Sequence, residues 1–336
     1  MTRPPARRCG RSSTTRSASH PTSFARESPT SKTISPSVEG QKTVNMAMSR
    51  RRSNHLRMLF LGTVLCLVVS GCAIANWIGV QLYYKNADLP EKQVLRDIPY
   101  WNSVDRHPAR HRLDLFLPQG TQWPVLVFVH GGGWMEGDKS LRVGSADIYG
   151  NIGRFYASRG VGVAVINYGL LPDVPWRHQP QDVARAAAWV HAHIAEYGGH
   201  ASRLFLAGHS AGAQLVTRVA LDPELLKATG LLPGIVCGVI SVSGAALDLT
   251  DEKTYELGEK LSYYEKRFRD VNGGDQWKQA ASPVYFVGAP APPFLILYAE
   301  GEKPGLQRQS QRLQETLTKA GIQNRVVAFI RTASCP

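Results

Sequence analysis

The stretch LFLAGHSAGAQL, residues 204–215, decides how the rest of the chain is read. Leu204, Phe205 and Leu206 form a short apolar run suited to a buried strand, and Ala213, Leu215, Val216 and Val219 continue at helical spacing. Between them Gly208-His209-Ser210-Ala211-Gly212 fits G-x-S-x-G, in which a serine sits on a sharp strand-to-helix turn with its hydroxyl above the sheet. The glycines have a steric reason to be there. Strand and helix pass close together around such a turn, so a side chain at 208 or 212 would meet neighbouring backbone. Ser210 is therefore the candidate nucleophile. An isolated G-x-S-x-G also fits an ordinary Gly/Ser turn, so the surroundings must decide.

A second motif lies about eighty residues upstream. VLVFVHGGGWMEGDK, residues 125–139, places His130-Gly131-Gly132-Gly133-Trp134 directly after an apolar, β-branched strand. Successive glycines leave backbone amides uncovered, and such amides can point at the negative charge that develops in acyl transfer.

With these motifs in view, the chain from about residue 95 to 330 resembles the α/β-hydrolases of the hormone-sensitive-lipase and carboxylesterase type, near the prenylcysteine-methylesterase and feruloyl-esterase-like branches. The resemblance also runs through HRLDLFLP (111–118), VINYGLLPDVPW (165–176), PQDVARAAAWV (180–190) and PPFLILYAEGEKPGL (292–306). It implies a serine hydrolase acting on small-molecule carboxylic esters without a cofactor. Mapped onto this sequence, its oxyanion donors are the amides of Gly131, Gly132 and Ala211.

Composition agrees. Removing an N-terminal extension from 336 residues leaves a length common for one α/β domain, and 43% apolar residues is ordinary for a globular protein. The formal charge of +13 is concentrated at one end: residues 1–72 hold 12 of the 39 Lys and Arg and 2 of the 26 Asp and Glu. The remaining 27 against 24 is nearly neutral, which argues against a nucleic-acid surface.

Residues 1–47 are rich in Ser, Thr, Arg and Pro and read as a disordered extension, with Met46 and Met48 as alternative starts. Residues 48–72 follow with a basic segment, an apolar segment and VSGC at 69–72, a secretory signal ending that resembles a bacterial lipobox. Lipidation at Cys72, with the catalytic domain on the membrane outside the cytoplasm, is the expectation; a signal anchor from Met58 to about Leu82 is the alternative. Residues 73–94 read as a linker. Past Cys72 only Cys237 and Cys335 remain, so neither a disulfide framework nor a metal site can be read.

Strands are expected at about 111–117, 123–130, 161–167, 203–208, 234–243, 292–299 and 324–330, with helices at about 146–158, 180–196, 210–221 and 306–320. This alternation predicts a mainly parallel sheet covered on both faces. The insertion at 246–290 carries Tyr255, Tyr263, Tyr264, Phe268 and Trp277 among many charges. Its composition suits either a lid over the acyl pocket or a helix packed on the sheet edge.

The acid of the triad is expected after PPFLILY, where the resemblance places Glu302, with Glu300 as the alternative. The histidine is expected after the strand RVVAFI, yet no histidine follows His209. His209, His130, His178, His191, His193 and His200 have no evident route to Ser210. Two readings therefore compete: an esterase whose gene is truncated or frame-shifted near its 3′ end, or a non-catalytic relative that binds a ligand or partner. Codons for Arg331–Cys335 can, one position later, encode Gly-Arg-His-His. Amide hydrolysis of the arylformamidase kind is the catalytic alternative.

Overall fold

The computed structural model describes residues 87–102 and 109–329, apart from 145, 233, 270–273 and 289. The expected extension, signal peptide, Cys72 and the anchor from Met58 lie outside the described residues. Among the described residues no helix is long and apolar enough to cross a membrane.

Eight strands form one sheet: β1 (Val94–Pro99), β2 (Arg112–Phe116), β3 (Trp123–Val129), β4 (Gly162–Ile166), β5 (Gly199–His209), β6 (Val236–Val242), β7 (Phe294–Ala299) and β8 (Asn324–Phe329). Their spatial order is β1-β2-β4-β3-β5-β6-β7-β8, with β1 and β2 antiparallel to their neighbours and the rest parallel. The protein has an α/β-hydrolase fold, as the alternation of apolar runs and helical periods implies.

β3 shows why the sheet must be covered twice. Val125, Val127 and Val129 face one core, with Leu113, Ile166, Leu204 and Leu206. Leu126 and Phe128 face the other, with Phe116, Tyr149, Val163 and Val165. Side chains alternate across a strand, so a run apolar at every position needs a cover on each face. Helix α1 (Ile148–Ala157) serves the second core and is capped by Asp147, whose side chain accepts from Gly150 N at 3.0 Å. The first core holds α2 (Gln179–His193) and α3 (Ala211–Leu221), with Val183, Ala187 and Val190 on α2 fully buried as its period requires.

Two local expectations need correction. Residues near 94 are not a bare linker: Leu89 is buried, Arg154 Nη1 donates to its carbonyl at 3.0 Å, and β1 already begins at Val94. β5 also starts earlier than the apolar run, at Gly199, because backbone pairing with β3 reaches Trp123. Hydrogen-bonding register extended the strand where side-chain hydrophobicity gave no signal.

The insertion at 246–290 folds into short helices, among them α4 (Leu261–Phe268). Its aromatic residues divide between core and pocket. Tyr264, Phe268 and Trp277 are buried in the first core, while Tyr263 stays exposed and lines the pocket above the sheet. A further helix, α5 (Pro304–Lys319), buries Leu313 and Leu317 four residues apart and leads into β8.

Candidate active site

Register brings the motifs together. β5 lies between β3 and β6, with Val129 opposite Gly208 and His209 opposite Val242, so the turns that follow β3 and β5 emerge side by side at the carboxyl end of the sheet. In open α/β sheets that edge is where ligands bind.

Ser210 stands at the apex with φ 54° and ψ −114°, outside the regions a side chain normally accepts. Its amide is tied to Val242 O at 2.9 Å and its carbonyl accepts from Ala213 and Gln214, which holds the strained residue in place. The glycines do what steric reasoning required. A Cβ on Gly208 would come to 2.3 Å from Gly212 O, and one on Gly212 to 2.2 Å from Val129 O. Ala211 opens α3, so its amide lacks an intrahelical partner.

The glycine loop is set by its carbonyls. His130 Nδ1 donates to Gly131 O at 2.7 Å, and Met135 and Glu136 donate to Gly132 O. The N–H of a trans peptide points opposite to its carbonyl, so capture of these carbonyls turns the amides of Gly132 and Gly133 the other way. Gly132 has φ 123°, and a Cβ there would overlap Glu136 O at 1.9 Å. The amide of Gly131 is engaged: it donates to the Tyr149 hydroxyl at 3.1 Å. The resemblance had offered Gly131 as an oxyanion donor, but this bond leaves it holding α1 to the loop instead.

His130 is fully buried, stacked on Tyr168 at 4.6 Å, with Arg110 Nη2 3.4 Å from its Nε2. Burial pushes its pKa down to about 4, so near neutrality it is an uncharged ring that donates from Nδ1 and accepts at Nε2. His209 is likewise lowered by burial, and its Nδ1 lies 3.3 Å from the Tyr149 hydroxyl. Tyr149 thus links Gly131 of the glycine loop to His209 of the elbow.

The rest of the HGGGWMEGDK stretch anchors the loop. Lys139 reaches Asp114 and Asp97, each at 2.7 Å, and Asp138 accepts from Asn167 at 2.7 Å and Arg110 at 3.0 Å. Asp114 is fully buried with Arg96 as a second cation at 2.8 Å. Sequence reading missed these roles, since Asp97, Arg110 and Asp114 are remote in sequence and only the fold assembles them.

Glu302 lies on the loop after β7, half-buried, and its Oε1 is enclosed without a hydrogen-bond partner. Burial raises its pKa, more than the nearby Ser243 hydroxyl and Ala299 backbone lower it. Glu300 is exposed, and its amide donates to Phe329 O at 2.9 Å. The end of β8 therefore lies beside the acidic loop. A pocket of about 330 Å³ opens at Ser210 and is walled by Tyr263, Tyr264, Glu259 and Leu306.

None of the described histidines hydrogen-bonds to Ser210. His191 faces Ala201 O at 3.1 Å, His193 faces Glu196 at 3.0 Å, and His200 meets Ser202 at 3.0 Å. His111, in contact with Asp182 at 3.2 Å, is fully buried between Tyr100 and Trp101. Among the described residues no cluster of three or more His, Cys, Asp or Glu could hold a metal ion.

The family model described as BD-FAE matches residues 113–317, more than half of the chain. The chain belongs to that family. It is an α/β-hydrolase of the carboxylesterase type, and the matched range takes in the glycine loop, the elbow and Glu302. Esterase LipQ of Mycobacterium tuberculosis is 34% identical over 215 residues, covering 61% of this chain and 48% of that protein. An isoprenylcysteine alpha-carbonyl methylesterase of Arabidopsis thaliana is 33% identical over 141 residues, covering 41% of this chain and 30% of its own length. The chain thus spans less than half the length of either relative. Esterase B of Lactobacillus rhamnosis superposes with a TM-score of 0.61 at 22% identity, covering 80% of this chain and 84% of that one, a likeness of fold.

Proposed function

We propose that the site is built for carboxylic ester hydrolysis through an acyl-enzyme on Ser210. The observation that carries this reading is the strained φ of Ser210 at the apex between β5 and α3, beside a loop with two turned-out amides. Ser210 Oγ attacks the ester carbonyl, and the amides of Gly132 and Ala211 stabilise the oxyanion. Glu302, with a partnerless buried oxygen, is suited to orient an imidazolium. Among the described residues no histidine is hydrogen-bonded to Ser210 to serve as the base.

Small-molecule esters are the expected substrates. The esterase relatives support this, and the near-neutral folded part gives no reason to invoke a nucleic acid. A ligand-binding homologue without turnover, and an arylformamidase-type hydrolase, remain the competing assignments. A panel of p-nitrophenyl esters against N-formyl anilides separates ester from amide chemistry. Equal rates for the parent and Ser210→Ala would refute the serine mechanism, and ligand binding without any turnover would favour the binding homologue. Lipid attachment at Cys72, with the domain outside the cytoplasm, completes the proposal.

A further inference from the structure

The wall of the pocket facing Ser210 includes Tyr263, on α4 of the insertion. Three observations single out its hydroxyl. Among the described residues it has no hydrogen-bond partner, although the ring and the backbone carbonyl of the residue are both engaged. The guanidinium of Arg267 lies over its ring at 3.5 Å, the ring meets Tyr264 edge-on at 5.2 Å, and Arg267 Nη1 donates to its carbonyl at 2.8 Å. The hydroxyl also occupies the space a side chain at Gly133 would need, 2.4 Å from an ideal Cβ there. Arg267 closes the arrangement by donating from Nε to Gly133 O at 2.9 Å. One arginine therefore clamps the glycine loop and the tyrosine ring together.

A phenol braced by these contacts, left without a partner among the described residues and placed against the oxyanion loop, can serve as a preorganised donor. Resting on the esterase reading of the same pocket, the geometry points to Tyr263 as a catalytic residue contributed by the insertion, its O–H donating to the substrate oxygen that becomes the oxyanion, beside the Gly132 and Ala211 amides. This also gives Gly133 a reason to be glycine: any side chain would displace the hydroxyl, quite apart from its φ of 58°.

The test uses the full chain and two readouts. Tyr263→Phe keeps the ring, its Arg267 stack and its Tyr264 contact, and removes only the hydroxyl. Hydrolysis of p-nitrophenyl acetate should lose roughly ten- to a hundredfold in kcat with KM changed less than about twofold, since the bond strengthens as charge develops. Phenylboronic acid reports the same site without turnover: Ser210 Oγ adds to boron, its proton passes to buffer, and a boron hydroxyl takes the oxyanion position. Affinity for it should fall about tenfold in Tyr263→Phe. Unchanged kcat and unchanged boronate affinity would overturn the inference, as would a loss confined to KM. Ser210→Ala separates the two levels. If it retains hydrolysis and boronate binding, the esterase reading itself fails; if it abolishes both while Tyr263→Phe matches the parent, only the role of Tyr263 fails.

Discussion

Trp134 Nε1 donates to Gln214 Oε1 at 3.1 Å, a buried bond that joins the residue after the three glycines to the first turns of the nucleophile helix. Gln214 is used at both ends, since its Nε2 donates to Ala281 O at 2.8 Å. Two motifs eighty residues apart are thereby held in one register with the insertion behind them. Gln214→Leu would strand an indole N–H and a carbonyl in the core. The expected cost is about 1–3 kcal/mol for each, read as a drop in the urea midpoint, with activity lost before global unfolding. A variant as stable as the parent would show that this bond does not matter.

Gly212→Ala tests the close packing of the elbow. The added Cβ would lie 2.2 Å from Val129 O and 2.6 Å from His130 O, both backbone atoms of the sheet and oxyanion loop. Neither can give way without moving β3, so destabilisation of about 3 kcal/mol or more is expected. Gly230→Ala is a useful contrast, because nothing lies within 4 Å of a Cβ there and only its φ of 83° opposes the change. Denaturation midpoints of the two variants should differ clearly, with Gly212→Ala the lower.

Acid should loosen the glycine loop through His130. Burial holds its folded pKa near 4, against about 6.5 in an unfolded chain, so the unfolded state takes up the proton first as pH falls. This contribution is whole above about pH 6.5, declines between about 6.5 and 4, and amounts to on the order of 3 kcal/mol once lost. His209, also lowered by burial, acts in the same sense. Chemical denaturation at several pH values should show a steeper fall for the parent than for His130→Asn. Parallel slopes would contradict the assignment.

Attachment of lipid at Cys72 is checked by metabolic labelling with a palmitate analogue. The parent should incorporate label and Cys72→Ser should not. Equal labelling of both would remove the lipoprotein reading.

Some of this protein could be read directly from its sequence, because the determining interactions are local. Alternating apolar runs specify a doubly covered parallel sheet, and Gly208 and Gly212 announce a turn too tight for side chains. The three glycines after β3 likewise mark a loop whose amides are not covered by side chains. The resemblance offers Glu302, with Glu300 as the alternative; the fold half-buries the first and leaves the second in solvent. What the tertiary structure alone decided is which groups meet. The fold gives the Gly131 amide to Tyr149, gathers Asp97, Asp114, Arg110 and Asn167 around Asp138 and Lys139, and sets Tyr263 against Gly133. These partners are separated by as much as a hundred residues or more along the chain. Their encounter depends on strand order and helix placement, which local periodicity does not encode.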